Sequence, residues 1–316
     1  SMTDTKPALS SAPKGQGVPE RTPSLSSAKR AKGVIERVMN IIFFVCGVAS
    51  VLCVAAITIY MVVSGLPAIR EVGLWDFLTG TVWAPTAETP QFGILPMILT
   101  TILGTFGAIV VGAPLGLFTA VFICYLAPKK SQAFLTSAVE LLAGIPSVIY
   151  GLVGITVLSP LVAKTFDLPS GASLFTSIIV LAIMILPTIV SVTITSLRAV
   201  PQEYYDGSLA LGATSMTSIF KMNIRAAKSG IITGIVLGIG RAIGETMAII
   251  MVSGNVVNMP NLFGSVRFLT TGIVSEMSYA AGLHREALFS IGLILFIFIF
   301  AINLILTGIL KKGAKQ

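Results

Sequence analysis

Charge is what this chain has least of. Only 11% of its 316 residues are Asp, Glu, Lys or Arg, against about 25% in a soluble domain, and that deficit excludes an ordinary water-soluble fold. Histidine occurs once and cysteine three times, too few for a disulfide framework or a zinc-type ligand spacing. Cys46, Cys53 and Cys124 all lie in apolar runs, as small fillers. The G-x-x-x-x-G-K phosphate loop is missing, and Gly238-Ile239-Gly240 followed by Gly244 departs by one residue from G-x-G-x-x-G. Nucleotide hydrolysis is therefore not expected of this chain.

What it has instead is hydrophobic length. Apolar residues make up 54% of it, and no charge interrupts Arg37 to Arg70, Glu88 to Lys129, Glu140 to Lys164, Asp167 to Arg198 or Glu286 to Lys311. Each interval holds a helix of about 20 residues, enough to cross a bilayer core. The segment after Lys228 adds another, so the expected fold is all-α, a polytopic membrane protein with six transmembrane helices.

The net charge of +8 is a topology signal rather than a nucleic-acid footprint. With the amino terminus inside, sixteen of the 21 Lys and Arg fall on cytoplasmic segments, and only Arg70, Lys164, Arg267 and Arg285 fall outside. This positive-inside asymmetry places both termini in the cytoplasm, in keeping with an even number of spans. No aromatic and basic module for nucleic acid is present; membrane lipid is the expected surrounding.

Residues 1–36 read as a disordered basic cytoplasmic tail with little to bury. Residues 37–91 read as the first span and an external segment, with Trp75, Phe77 and Trp83 suited to the interfacial belt. Residues 92–316 form the membrane core, with a cytoplasmic loop at 199–228. Within the core, Pro96 and Pro114 are expected to bend the second span, with Thr100, Thr101 and Thr105 satisfying the carbonyls the prolines free. Gly144 and Pro146 should break the third span, where Ser147 and Tyr150 bring hydroxyls that either line a pathway or are satisfied locally. Glu140, before that break, is expected to favour a helix start. His284 is read as an interfacial residue.

The stretch Gly230 to Asn255 carries Arg241 and Glu245 inside an apolar run. On a continuous helix Gly230, Gly234, Gly238, Arg241, Glu245 and Ala248 share an arc of roughly 80°. Glycines let a neighbouring helix approach closely, and a charge at membrane depth must face protein, water or a polar solute. Arg241 lies about 20 Å along the helix from Lys228, near mid-membrane. Glu245, one turn on, is placed to pair with it. Two readings stay open: a polar pathway, or a permanent lock between helices.

The inner loop has its own structure. Pro201 is placed to begin a helix and Gly212 to stop one, giving a short element that exposes Tyr204, Tyr205 and Leu209, either to a soluble partner's groove or to lipid headgroups.

At these two places the pattern becomes specific. Asp206-Gly207-Ser208-Leu209-Ala210-Leu211-Gly212-Ala213-Thr214 resembles the EAA loop of bacterial ABC importer permeases. Arg241-Ala242-Ile243-Gly244-Glu245-Thr246-Met247-Ala248, with Gly254-Asn255, resembles the signature of the PstC-type permease of the phosphate-specific transporter. Phe92-Gly93-Ile94-Leu95-Pro96, Ala113-Pro114-Leu115-Gly116, Leu142 to Gly151 and Ile183 to Thr188 match in the same order. The chain departs from the family where E-A-A is Asp206-Gly207-Ser208 and where the proline that usually ends the loop is Arg225. A glycine inside the helix costs about 0.5–1 kcal/mol relative to alanine.

The resemblance implies a type I, MetI-like importer fold in the bacterial inner membrane and import of inorganic phosphate. It implies a second permease of PstA type, a dimeric ATPase of PstB type that holds the ATP and Mg, and an external phosphate-binding protein of PstS type. This chain then needs no cofactor. Arg241, Glu245, Ser147, Tyr150 and Asn255 become the substrate pathway, with phosphate and Glu245 competing for the Arg241 guanidinium. Tyr204, Tyr205, Asp206, Gly207, Leu209, Gly212 and Ala213 become the ATPase coupling surface. The rival readings are a permease for sulfate or molybdate, an ATP-independent ion-coupled carrier, and a structural membrane subunit without a pathway.

Overall fold

A computed structural model describes residues 25–313; the expected tail up to residue 24 lies outside the described residues. Two compact units divide the chain between Ile57 and Thr58. The first is the amino-terminal part of helix α1 (Leu25–Val72). Its apolar side chains from Val38 to Ile57 are exposed, as suits a helix whose solvent is lipid. Residues 25–36 are helical, where the sequence predicts continued disorder.

The second unit begins in the last turns of α1. There follow α2 (Leu74–Thr79), an antiparallel hairpin of β1 (Trp83–Ala84) and β2 (Gln91–Phe92), and α3 (Leu95–Val121), which runs on through a π-helical turn at Phe122–Leu126. Next come α4 (Lys129–Gly144), α5 (Ser147–Val153), a π-helical turn at Gly154–Leu158, α6 (Ser159–Thr165) and α7 (Leu174–Arg198). The loop expected on the cytoplasmic side holds α8 (Gln202–Ala210), α9 (Ser215–Ser218), a π-helical turn at Ile219–Asn223 and α10 (Ile224–Ala226). The chain closes with α11 (Lys228–Gly244), α12 (Met247–Val252), α13 (Leu269–Glu276) and α14 (Gly282–Gly313).

Five helices among the described residues are long and apolar enough to cross a membrane. The sixth expected span is reached if Ser215–Ala226 and Lys228–Gly244, bent by 69°, count as one. Among the described residues the fold is all-α apart from the four hairpin residues and one isolated bridge between Gly254 and Val266.

The centre of the unit is α3 against α7, with α11 laid along both. Small residues set that spacing. Gly112 of α3 faces the Ile185 side chain of α7 and Gly116 faces Ile189, each with a virtual Cβ under 3.0 Å from it. From the other side Gly238 of α11 also faces Ile189, at 3.1 Å. Ile189, fully buried, is thus wedged between two glycine-bearing helices, the close approach that small residues allow in a membrane.

Three expectations for the core change. Pro96 sits in the first turn of α3, where no intrahelical N–H is lost, so it does not bend the helix. Thr101 donates to the Met97 carbonyl and accepts from the Leu269 N–H, while the buried Thr100 and Thr105 hydroxyls have no partner among the described residues. Glu140 is exposed near the carboxyl end of α4, where the helix dipole does not favour it.

Candidate functional site

Two breaks shape the middle of the molecule. The first separates α4 from α5: Ile145 and Pro146 are extended, and proline, lacking an N–H, cannot bond the carbonyl four residues back. That carbonyl belongs to Leu142. It accepts the Tyr150 hydroxyl at 2.7 Å and, more weakly, the Ile145 N–H at 3.3 Å. Tyr150 is thereby committed to closing the break, which is the local-satisfaction reading of its hydroxyl. Ser147, partly buried, is the first residue of α5.

The second break overturns the continuous helix expected over 230–255. α11 stops at Gly244, Glu245 is extended at φ −71° and ψ 134°, and the helix restarts at Met247. Glu245 therefore leaves the arc that carries Arg241. Its carboxylate Oε1 accepts the Ala248 N–H at 3.0 Å, capping α12, and its carbonyl accepts the Thr270 hydroxyl at 2.8 Å. The expected Arg241–Glu245 pair is not formed: the ion pairs among the described residues join Glu276 to Arg267 and to His284.

The first part of the arc holds. Gly230, Gly234 and Gly238 bring α11 against Ser196, Val192 and Ile189 of α7. Arg241 continues that face in the last turn of α11 and donates from Nη1 to the Thr188 hydroxyl at 3.3 Å. Thr188 follows the buried Pro187 in α7. The guanidinium is partly buried, and the free carbonyls at a helix end favour a cation there. Its one hydrogen bond among the described residues goes to a neutral hydroxyl, which leaves most of its five donors uncommitted.

Asn255 does not join Arg241. With Gly254 at φ 79° and Asn255 at φ 53°, it makes a left-handed turn on the far side of α12, and its carbonyl accepts the Arg267 Nε at 3.1 Å. That turn belongs to a cluster that sequence reading missed. The Glu276 carboxylate accepts from Trp83 Nε1 at 2.9 Å, from Arg267 Nη1 and from His284 Nε2 at 2.7 Å. Burial pushes Glu276 up, but the hydrogen bonds from Trp83, His284 and Arg267, with the Arg267 charge, hold its carboxyl below the usual range. His284 is buried and paired rather than interfacial. Trp83 and Glu276 are 193 positions apart, so no local pattern could have joined them.

The inner loop is a short helix as expected, and its stop is complete. Gly212, at φ 85°, donates its N–H to Leu209, and the Ala213 N–H returns to the Ser208 carbonyl, the two bonds of a Schellman cap. Asp206, Gly207 and Leu209 are exposed, and Tyr204 is half exposed. Tyr205 points inward and stacks on Tyr125. Leu211, 91% exposed just before the stop glycine, is the outward apolar residue the sequence reading did not single out. A groove of about 430 Å³ lies beside it, lined by Tyr204, Gly207, Leu211, Lys221 and Met222 among others.

Comparison with known proteins agrees with this architecture. Residues 112–315 match the family model described as binding-protein-dependent transport system inner membrane component. The "Probable ABC transporter permease protein YqgH" of Bacillus subtilis is 37% identical over 83% of this chain and 86% of its own. The phosphate transport system permease protein PstC of Haemophilus influenzae is 34% identical over 83% and 88%; that of Mesorhizobium japonicum is 34% identical over 78% and 84%. Among solved structures, the inward-facing MetNI methionine ABC transporter aligns with a TM-score of 0.52 at 19% identity over 70% of this chain and 94% of that one. A bacterial alginate ABC transporter in complex with its pentasaccharide-bound periplasmic protein aligns at 0.55 and 16% identity over 91% and 95%. These likenesses, on a bundle of broken and glycine-packed membrane helices, place the chain in the family of binding-protein-dependent transport system inner membrane components: it is a permease subunit of an ABC importer, a transport subunit and not an enzyme.

Proposed function

We propose that this permease carries inorganic phosphate into the cell, with Arg241 as the group that meets the anion. The observation that carries the reading is the state of Arg241. It sits in the last turn of α11, about 20 Å along that helix from Lys228, and it is held by the Thr188 hydroxyl with no carboxylate paired to it among the described residues. A partly buried charge without a counter-charge carries a desolvation cost, and an arriving tetrahedral oxyanion relieves it. The planar fork can hold two of its oxygens at once and keeps its charge throughout. Similarity to PstC proteins over most of the chain supports phosphate as the substrate.

Glu245 enters this mechanism as the cap of α12, so release does not depend on its competing for the guanidinium. Thr188 is the group to which Arg241 returns. The same reading assigns a PstA-type permease as the second half of the pathway, a PstB-type ATPase dimer with its ATP and Mg on the α8 side, and a PstS-type protein outside. It also puts both termini in the cytoplasm, which the distribution of Lys and Arg supports.

The test is ATP-dependent uptake of radiolabelled phosphate by the complex purified with its native partners and reconstituted in liposomes. Uptake should be suppressed by unlabelled arsenate, a tetrahedral anion of the same charge, and insensitive to sulfate and molybdate. Arg241→Gln should abolish uptake, and Arg241→Lys should lower it by about tenfold or more, the loss of one charge-assisted hydrogen bond. Uptake of sulfate or molybdate in preference to phosphate, or full phosphate uptake by Arg241→Gln, overturns the assignment.

A further inference from the structure

We infer that Tyr125 and Asn223 are positioning residues that carry the movement of α8 into the transmembrane core, through the ring of Tyr205. Tyr125 lies in the π-helical turn that ends α3, and Asn223 in the π-helical turn between α9 and α10. A π-helical turn holds one extra residue and re-aims the side chains around it. Here the two turns bring their side chains together: Asn223 Nδ2 donates to the Tyr125 hydroxyl oxygen at 2.9 Å. The Tyr125 ring stacks on Tyr205 of α8, with centroids 6.4 Å apart and planes inclined by 18°. The Tyr205 hydroxyl in turn bonds Ser215 Oγ at the start of α9, at 2.7 Å.

Each ring is thus pinned at its far end by a hydrogen bond and held on its face by the other ring. Both hydroxyls are anchored and the planar faces are stacked, so the pair transmits displacement where a leucine pair, with no hydroxyl to anchor it, would yield by changing rotamer. Asn223 is 3% exposed. Tyr125 and Tyr205 both pack against the buried inner cluster of Ile219, Leu197, Val121 and Ala120, which also takes in Val190 and Ile194 of α7.

Tyr125 packs against the inner cluster that includes Val190 of α7, the residue after Ile189. Gly116 of α3 abuts Ile189 of α7, Ile189 abuts Gly238 of α11, and the residue before Ile189 is Thr188, which holds Arg241. A close-packed interior has little free volume in which to absorb a shift. Spatial continuity alone does not establish coupling, so the experiment must read coupling itself. The inference rests on membership of the importer family and not on the identity of the solute.

The test uses the complex with its co-purified ATPase in liposomes. The reporter is the maleimide labelling rate of Gly244→Cys, at an exposed position where an added Cβ meets nothing, compared with and without ATP and corrected for the parent chain. Tyr125→Leu and Asn223→Leu should each keep the ATPase bound and hydrolysing, and Tyr205→Leu is the third variant, read by labelling. In each, the ATP-dependent change in labelling should fall by about fivefold or more, a coupling loss at the lower end of allosteric energies. Tyr205→Phe, which keeps the stack, should retain the change within about twofold on the same scale, and the double variant Tyr125→Leu with Tyr205→Leu should be no worse than either alone. A full ATP-dependent change in the Leu variants overturns the inference. So does loss of the ATPase itself from those variants, which would make the pair a docking support only. Failure of the wild-type complex to carry phosphate bears on the proposed function and leaves this result readable.

Discussion

Gly151 of α5 and Ala248 of α12 meet backbone to backbone: a Cβ on Gly151 would stand 2.8 Å from the Ala248 Cα and 2.9 Å from the Met251 sulfur. Both helices restart just after a break, so this contact fixes where the two re-entering segments sit relative to each other. Gly151→Ala is expected to force them apart and destabilise the permease by about 1–3 kcal/mol, the usual cost of overpacking. Gly144→Ala, at a position where an added Cβ meets nothing, should cost no stability. Thermal unfolding of the two variants in detergent compares them directly, and equal midpoints would show that the contact is not tight.

The departure of α8 from the family pattern has the opposite sign. Gly207 lies inside the helix, and an added Cβ there has open space around it. Gly207→Ala should therefore stabilise the loop by about 0.5–1 kcal/mol, the difference in helix propensity, with the ATPase still bound. Slower proteolysis of the inner loop is the measurement. Faster cleavage, or loss of the ATPase, would mean that glycine is needed against the partner.

Glu245 gives a sharper separation of roles. As a cap it needs only an acceptor oxygen, which glutamine also has; as a charge competing for Arg241 it needs to be ionised. Glu245→Gln should then leave uptake near the wild-type level, whereas Glu245→Ala should lose about 1 kcal/mol of stability, the value of a helix cap. Uptake that changes strongly in the Gln variant, with stability intact, would restore the competition between carboxylate and substrate.

The contrast between Arg241 and Glu245 also marks what could be read along the chain. The glycines of α11, the proline break before Ser147 and the stop at Gly212 are local: each follows from one residue's missing Cβ or missing N–H, and each appears where the sequence predicts it. The break at Glu245 is not local. No proline causes it, and the extended backbone there is held by Thr270, a residue 25 positions away. Tyr205 faces inward for a similar reason, because its stacking partner is on α3. The Glu276 cluster draws on the hairpin, the loop after α12, α13 and α14. Periodicity reports which face of a helix is apolar, and it carries no information about which polar groups meet once distant helices pack.

That cluster yields the pH prediction. Glu276 is 6% exposed and accepts from Trp83, Arg267 and His284; its folded pKa lies below its unfolded value of about 4.3. A depressed carboxylate contributes stability that is fully present above the unfolded value and is lost as pH falls through the folded one. At neutral pH, Glu276→Gln removes the only carboxylate paired with Arg267 among the described residues and should cost about 3 kcal/mol, the penalty for leaving one member of a buried pair alone. As pH drops below about 4.3 the carboxyl of the unfolded chain takes up its proton first, and the advantage fades until the folded carboxyl is protonated as well, so the gap between the two proteins should narrow. Thermal midpoints of wild type and variant, measured in parallel from neutral pH down to the onset of acid unfolding, follow that gap. A gap that stays constant across the range would mean that the carboxylate's charge does not hold the hairpin, α13 and α14 together, and that shape and neutral hydrogen bonds suffice.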